Sequence, residues 1–252
     1  MNLPRRKLLG AGLAGGSGLI LAGCDRLNAS PAFRSGLDEV GLLHKSAQRG
    51  LLGGGALARE YAAIDMSPMF RSNGNTMPDA ADYRAHLAAG FSTWQLVVDG
   101  LVRRPLALPL AALQAMAQRV QITRHDCVEG WSAIGKWQGP QLGQVLAMAG
   151  LLPQARYLVL HCADRFGTTP YYESIDLVDA FHPQTILAWR MNDRPLAVAH
   201  GAPLRLRVER QLGYKQAKYI ARIEARATLA GLYGGQGGYW EDSNDYEWYA
   251  GI

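Results

Sequence analysis

The spacing of apolar residues along the chain predicts several short helices. Residues 37–63 repeat apolar side chains at helical intervals, and Gly50 together with the glycines at 53–55 favours two short helices over one. Gly90 is expected to end the next helix, and Pro109 to open the one after it. Beyond the first stretch, the predicted helices cover residues 79–89, 109–116 and 142–149.

Alternating apolar and polar residues predict strands between these helices. The predicted strands cover residues 94–98, 121–124, 157–161, 185–190, 204–208 and 219–225. The pair Asp99-Gly100, directly after the first strand, is expected to form a hairpin turn. Strands interleaved with a few short helices indicate a mixed α+β domain.

The composition is that of a globular protein, since 48% of the 252 residues are hydrophobic and 19% are charged. Three cysteines are too few for a disulfide scaffold, and their spacing does not fit a zinc site. After residue 23 the chain has 23 basic and 21 acidic residues, a net charge of +2. So small an excess of positive charge gives no electrostatic footprint for nucleic acid.

The first 23 residues have the layout of a bacterial export signal. Arg5-Arg6 comes just before Leu8–Ala22, a stretch without charge that is rich in Gly and Ala. It ends in Leu21-Ala22-Gly23-Cys24, which resembles the lipobox of bacterial lipoproteins. We expect residues 1–23 to be a twin-arginine lipoprotein signal peptide and Cys24 to be the lipid anchor, on the periplasmic side of the membrane. The alternative is an N-terminal membrane helix with an incidental cysteine.

Cys127 is the strongest candidate for chemistry. It follows a predicted strand and lies within three residues of Arg124, His125, Asp126 and Glu129. A thiolate is a soft metal ligand and a strong nucleophile, and the neighbouring Arg124 and His125 are expected to lower its pKa. The residues alone leave three possibilities open: a metal-binding enzyme, a lipid-anchored cysteine hydrolase with His125, His161 or His200 as base, and a lipoprotein that only binds a ligand.

Three stretches resemble the signature motifs of a known superfamily. They are residues 124–132 with Trp137 and Gly139, residues 200–205, and residues 213–218. They resemble the sulfite oxidase superfamily of molybdopterin-dependent oxidoreductases, and most of all its bacterial exported branch, which includes periplasmic methionine sulfoxide reductases. The resemblance implies an α+β molybdopterin-binding domain with mixed sheets and flanking helices, without the C-terminal immunoglobulin-like dimerisation domain of eukaryotic members. A monomer is expected.

The resemblance also implies roles for individual residues. Cys127 matches the single protein thiolate that binds molybdenum, and Glu129 matches an acidic side chain that relays protons near the metal, although a solvated surface carboxylate is its other interpretation. The positions that match pterin-binding residues are Arg205, Gln216, Ala217 and Lys218. Basic residues at 205, 207, 210, 215 and 218 lie within fourteen residues, and this density favours an anion site.

Three further positions match the family's pterin pocket less well. Asn73 corresponds only loosely to its N-terminal asparagine, and His200 stands where exported members carry an asparagine. A histidine there can still donate a hydrogen bond, but it also titrates. Cys162 stands where they carry a threonine, and a buried structural thiol is its other interpretation. A disulfide between Cys127 and Cys162 would exclude the metal.

The implied function is oxygen-atom transfer by one molybdenum–molybdopterin per chain. Aromatic residues expected around Cys127 (Trp131, Trp137, Tyr171 and Tyr172, with Arg124) favour a neutral substrate, a sulfoxide, an N-oxide or oxidised methionine. Sulfite-type oxidation is the alternative within the family. The sequence lacks a haem-attachment motif and an iron–sulfur cysteine run, so electrons are expected to pass through a haem-bearing or other membrane partner.

The sequence divides the mature chain into three parts. Residues 24–36 contain turn formers and are expected to be a tether, and residues 37–231 form the molybdopterin domain. Residues 232–252 hold six aromatic side chains among glycines and acidic residues. Two interpretations of this C-terminal segment stay open. It is a strap whose aromatic rings cover the core, or it is a docking surface for a redox partner or a lid over the metal.

Overall fold

A computed structural model of the chain describes residue 27, residues 30–53 and residues 55–252. The chain divides into two compact units, with the boundary between Leu51 and Leu52. The expected signal peptide and Cys24 lie outside the described residues. Within the described residues, no helix combines the length and the apolar character needed to cross a membrane.

The first unit contains one continuous helix, α1, Pro31–Leu52. The expectation of two short helices was wrong, because Gly50 lies in the last turn, where a helix tolerates it, and Gly53 with a φ of 70° follows the helix end. The helix also begins at Pro31, inside the expected tether. Proline is well suited to the first position of a helix, where its missing N–H leaves no hydrogen bond unmade.

Among the residues described, the second unit contains five short α-helices, three 3-10 turns and eleven strands. The α-helices are α2 (Ala81–Ala88), α3 (Leu110–Ala115), α4 (Leu142–Ala149), α5 (Leu177–Ala180) and α6 (Tyr239–Asn244). The 3-10 turns are Ala63–Asp65, Val198–His200 and Gly213–Lys215. The strands are β1 (Gln95–Gly100), β2 (Leu106–Pro109), β3 (Gln118–Cys127), β4 (Trp131–Pro140), β5 (Tyr157–Phe166), β6 (Thr169–Asp176), β7 (Ile186–Ala188), β8 (Arg190–Met191), β9 (Arg194–Pro195), β10 (Arg205–Arg207) and β11 (Ile220–Arg226).

The largest sheet has five strands in the order β2-β1-β11-β5-β6, of which only β1 and β11 run parallel. The expected turn at Asp99-Gly100 was wrong, because both residues continue β1 and pair with β11. Gly100 has a φ of 81°, and a Cβ there would lie 2.4 Å from the Ala225 carbonyl oxygen. The glycine therefore serves close approach of two strands, and the chain turns only after it.

The main core lies against this sheet. Helix α4 buries Leu142, Val145, Leu146 and Ala149 at helical spacing, as its sequence predicts. Strand β1 buries Leu96 and Val98 and exposes the residues between them. Together with buried residues of β5 and β11 they form one apolar cluster.

A second sheet, in the order β3-β4-β8-β9, is antiparallel throughout, and β10 pairs with β7 in a separate two-stranded ribbon. Strands β3 and β4 form a long hairpin in which Cys127 pairs with Trp131. Only residues 121–124 of this hairpin were expected to be strand, because polar residues interrupt its apolar pattern.

The C-terminal segment, residues 232–252, is held by a buried cluster of three charges. The Lys215 ammonium forms an ion pair with Glu173 at 2.8 Å and donates to Glu241 of helix α6, and all three side chains are fully buried. Burial raises the pKa of Glu173 well above its usual range, and the neighbouring Glu241 adds to this shift. One protonated carboxyl would leave the cluster with no net charge.

Replacing Glu173 with Gln should raise the free energy of unfolding, and the gain should grow with pH. Above a pH of about 4.5, the usual carboxyl pKa, folding of the unsubstituted chain takes up a proton at Glu173, so its stability falls as the pH rises toward the folded-state pKa. The amide needs no proton. Thermal unfolding at pH 5, 7 and 8 checks this, and 1 kcal/mol corresponds to roughly 2–4 °C. Glu247→Gln, an exposed carboxylate of the same segment, is the control. A difference in Tm that stays constant with pH would contradict the raised pKa.

Candidate functional site

The β3–β4 hairpin positions Cys127 at the end of a strand that buries polar side chains. Along β3, residues 121, 123, 125 and 127 are buried in alternation, whereas Arg124 points outward and pairs with Asp126 at 2.9 Å. The turn closes through a hydrogen bond from the Gly130 N–H to the Cys127 carbonyl at 3.0 Å. The thiol therefore projects from a rigid strand end toward the interior.

The surroundings of Cys127 raise its pKa, contrary to expectation. Burial is the main cause, and Arg205 opposes it only weakly. Arg124 is on the opposite face of β3, where its guanidinium binds Asp126. The thiol is free of a disulfide, as is Cys162. A buried neutral thiol becomes a good ligand when a metal displaces its proton, but it is a poor nucleophile.

None of the three histidines proposed as a base for a hydrolase is suited to that role. The His125 ring is fully buried and accepts a hydrogen bond from Arg207 at 3.0 Å, and burial holds its pKa well below the usual range. Burial lowers the pKa of His200 to about 4. His161 is bound to Glu224 at 2.9 Å. The geometry therefore does not support a cysteine hydrolase.

The thiol lines a pocket with about 610 Å³ of empty space, part of which is open to solvent. Five of the residues predicted from the sequence line it: Asn73, Cys127, Glu129, Gln216 and Lys218. Glu129 is exposed and accepts a hydrogen bond from the Trp131 indole at 3.0 Å, and it makes no ion pair with a described residue. The other four predicted residues, Cys162, His200, Arg205 and Ala217, do not line the pocket.

Arg205 is a fully buried cation without a carboxylate partner among the described residues. Its guanidinium donates to the carbonyls of His200 and Gln216, both at 3.3 Å, and its Nε has no hydrogen-bond partner there. Its centre lies 5.2 Å from the Trp137 ring, which Arg207 also covers. Burial and the adjacent Arg207 lower the pKa of Arg205 to about 9. A bound anion would offset both the free-energy cost of burying this charge and its repulsion from Arg207.

The other basic residues of the predicted anion site are mostly neutralised within the protein. Arg207 binds Glu209 through two nitrogens, at 3.0 and 2.6 Å, with both side chains buried. The remaining pairs are Arg210 with Asp179, and Lys215 with Glu173 and Glu241. The density of positive charge in this stretch was therefore misleading as a signal. Of the five positions, only Arg205 and Lys218 make no ion pair with a described carboxylate.

Lys218 binds the backbone around the pocket. Its ammonium donates to the carbonyls of Asn73 at 2.6 Å, Ala199 at 2.9 Å and Asn75. Burial and Arg205 lower its pKa to about 7. The neighbouring Gly201 has a φ of 106°, and a Cβ there would lie 2.9 Å from the Lys218 Cβ. Lys218 therefore fixes the loop that carries Asn73, and Asn73 lines the pocket.

Cys162 and His200 lie behind the pocket. The Cys162 thiol packs against the main core and its pKa is raised well above the usual range by burial, as expected for a structural thiol. The ring nitrogen Nδ1 of His200 is buried and has no partner among the described residues. With a pKa of about 4 the imidazole stays neutral at pH 7, so it does not titrate there as first expected.

Sequence reasoning missed Asp164 and most of the aromatic lining. Asp164 lines the pocket, is 4% exposed, and burial raises its pKa to about 6. The aromatic lining consists of Phe166, Tyr171, Tyr214, Trp240 and Tyr246. An acidic residue near the end of a buried strand was the only sequence signal for Asp164.

Of the aromatic residues first expected at this place, only Tyr171 lines the pocket. Trp137 is buried beneath the two arginines, and Tyr172 donates a hydrogen bond to Asp242 away from the cavity. Trp131 packs edge-on against Phe70. These corrections arise because strand register, not proximity along the chain, decides which ring faces Cys127.

The residues present fit a bound molybdopterin. Buried polar atoms without partners among the described residues occur at Asn73 Oδ1, Asp164 Oδ1 and Arg205 Nε. A buried polar atom without a hydrogen-bond partner destabilises the folded protein, and a bound ligand can supply the missing partner. No three His, Cys, Asp or Glu side chains converge within the described ranges, so a metal at Cys127 would draw most of its ligands from a bound group. Cys127 would hold the metal, and Arg205 would bind the anionic end of the pterin.

Comparison with known proteins agrees with this site. The sequence profile of the family described as "Oxidoreductase molybdopterin binding domain" matches residues 84–231. The protein-methionine-sulfoxide reductase subunit YedZ1 proposed for Azospira oryzae is 35% identical over 252 residues, all of this chain and 89% of that protein. The protein-methionine-sulfoxide reductase catalytic subunit MsrP of Xanthomonas axonopodis is 36% identical over 52% of this chain and 44% of its own length.

Two further similarities extend the comparison. MsrP of Campylobacter jejuni is 31% identical over 55% of this chain, so the chain spans about half the length of these MsrP relatives. The crystal structure of the sulfane dehydrogenase SoxCD from Paracoccus pantotrophus shares the fold, with a TM-score of 0.50, 21% identity, and coverage of 54% of this chain and 39% of that one. The mixed α+β fold class is confirmed, and the chain belongs to the molybdopterin-binding oxidoreductases of the sulfite oxidase superfamily.

Proposed function

We propose that this chain reduces a small uncharged sulfoxide or N-oxide, or oxidised methionine, by oxygen-atom transfer. The observation that carries the proposal is the nature of the pocket walls. Five aromatic rings line it, and its only basic lining residue, Lys218, already donates to three backbone carbonyls. An anion such as sulfite would find no free cation among the described lining residues. The similarity to MsrP proteins supports the same substrate class.

The reaction consumes two electrons and two protons, and it converts a sulfoxide to a sulfide and water. The bound molybdenum–molybdopterin supplies the two-electron chemistry. The protein can hold a proton at Asp164, a carboxyl group that lines the pocket. With a pKa of about 6, Asp164 exchanges its proton near neutral pH, as a general acid must.

The electrons come, in this proposal, from a membrane partner that carries haem or another redox group. The twin arginine at Arg5-Arg6 and the lipobox ending in Cys24 support export and anchoring near such a partner. The protein would then lie on the periplasmic side of a bacterial membrane.

Replacing Cys127 with Ser should abolish both turnover and molybdenum content, because a hydroxyl cannot replace a soft thiolate. Cys162→Ser is the matched control and should retain both. The assay couples a reduced dye to methyl phenyl sulfoxide or trimethylamine N-oxide, and an oxidised dye to sulfite, and elemental analysis gives the molybdenum per chain. Full turnover by Cys127→Ser, or oxidation of sulfite without reduction of any sulfoxide or N-oxide, would contradict the proposal.

Arg205→Met should lower cofactor occupancy by about tenfold at limiting cofactor. A hydrogen bond to a charged group contributes roughly 1.5–3 kcal/mol, and about 1.4 kcal/mol corresponds to tenfold in affinity. The unfolding temperature of the apo protein should stay level or rise, since an unpaired buried charge is removed. Arg207→Met should instead lower the unfolding temperature of the apo protein, because it leaves the buried Glu209 without its cationic partner. If Arg205→Met unfolds the apo protein and leaves occupancy per folded molecule unchanged, Arg205 is structural.

Replacing Cys24 with Ala should leave the protein without lipid, and replacing Arg5 and Arg6 with Lys should block its export. Incorporation of labelled fatty acid and the distribution of the protein between cytoplasm and periplasm measure these outcomes. Persistent fatty-acid labelling of Cys24→Ala would rule out the lipid anchor at this residue.

A further inference from the structure

The C-terminal segment supplies part of the wall of the Cys127 pocket. Trp240, in helix α6, and Tyr246, just after it, both line the cavity together with Cys127 and Glu129. Their rings stack with centroids 5.8 Å apart and planes inclined by 24°. The sequence left two interpretations of this segment open. A strap that only covers the core does not explain why these two rings line the pocket.

The two residues that follow Trp240 hold its helix in place. Its neighbour Glu241 is fully buried against Lys215. Asp242 accepts hydrogen bonds from the N–H groups of Gly234 at 3.0 Å and Gln236 at 2.9 Å. A side chain fixed in this way loses little freedom when a ligand binds, which favours recognition.

Other aromatic rings of the pocket support the same wall. Tyr239 stacks on Phe166 with centroids 4.8 Å apart, and Trp240 packs edge-on against Phe166 at 5.3 Å. Tyr246 packs edge-on against Tyr214 at 5.1 Å. The wall is therefore a continuous aromatic surface built from β5, the 3-10 turn at Gly213–Lys215 and the C-terminal segment.

An aromatic surface of this kind recognises the carbon substituents of a sulfoxide, not its oxygen. Ring faces carry negative charge density and attract the electron-poor methyl groups beside the sulfur. Contacts between sulfur and aromatic rings contribute roughly 0.3–1.5 kcal/mol each. A sulfite ion offers neither carbon substituents nor a neutral surface, and its charge would meet Glu129 and Asp164 at the same pocket.

We propose that Trp240 and Tyr246 form the subsite for the carbon substituents of the substrate, which is an uncharged thioether S-oxide with a methyl or aryl group. This assignment rests on the proposed function and adds the specificity-determining residues to it. The C-terminal segment is then part of the substrate-binding site.

Binding of methyl phenyl sulfoxide to the oxidised holoprotein tests the subsite without turnover, because no electron donor is present. Saturation-transfer NMR gives Kd, and Trp240→Ala should raise it roughly 2- to 10-fold. Dye-coupled kinetics should show a similar rise in KM and a smaller change in kcat, as expected when ground-state and transition-state binding are lost equally. Trp240→Phe should restore much of the affinity.

Tyr233→Ala is the matched control, since Tyr233 belongs to the same segment but lies outside the pocket lining and is half exposed. It should leave Kd and KM unchanged. Molybdenum content and Tm are measured for every variant, so that loss of cofactor or of fold is recognised. If Trp240→Ala does not fold, Tyr246→Ala and Trp240→Phe are compared instead, and each should raise Kd above that of the unsubstituted protein.

The outcomes separate the subsite from the proposed function. Unchanged Kd and KM in the Trp240 and Tyr246 variants, with active unsubstituted protein, would overturn the subsite and leave the function standing. Binding without reduction of any sulfoxide would overturn the function, and the variants would still decide the subsite. Failure of the unsubstituted holoprotein to bind methyl phenyl sulfoxide would overturn the subsite as well.

Discussion

The main constraint on this structure is a pair of guanidinium groups that are buried side by side. Among the described residues, a single carboxylate neutralises one of the two. Arg205 and Arg207 project from the short strand β10 onto the same Trp137 ring, at 5.2 and 4.2 Å. Glu209 neutralises Arg207, whereas Arg205 has only backbone carbonyls as acceptors. A protein that buries an uncompensated charge carries a cost that an anionic ligand can relieve. The fold is therefore suited to the cofactor that its family binds.

The pocket depends on a second group of buried charges, which joins distant parts of the chain. Lys215 belongs to the stretch that resembles a pterin-binding motif, yet it binds Glu173 and Glu241 and so attaches the C-terminal segment to the domain. This attachment places Trp240 at the pocket that Cys127 also lines, although the two residues are far apart along the chain. The same stretch thus contributes Gln216 and Lys218 to the pocket lining and, through Lys215, holds the C-terminal segment.

Helix α4 and strand β1 could be predicted from the sequence because each needs only its own apolar periodicity. Strands β4 and β6 could not, since small residues and Trp137 occupy the buried positions of β4, and polar and aromatic residues occupy most of those of β6. The segment at Asp99-Gly100 shows the same limit. Its composition is typical of a turn, but the glycine is needed for the close approach of β11, which is 120 residues away along the chain.

By itself the sequence determined the family, the thiol at Cys127 and the candidate anion ligand Arg205, because these depend on local motifs. Only the tertiary structure decided that Lys215, Arg207 and Arg210 are neutralised, that Lys218 fixes the Asn73 loop, and that Asp164 and Trp240 face the thiol. The physical reason is that an ion pair or a pocket wall joins side chains from distant parts of the chain. Local periodicity carries no information on which of them meet.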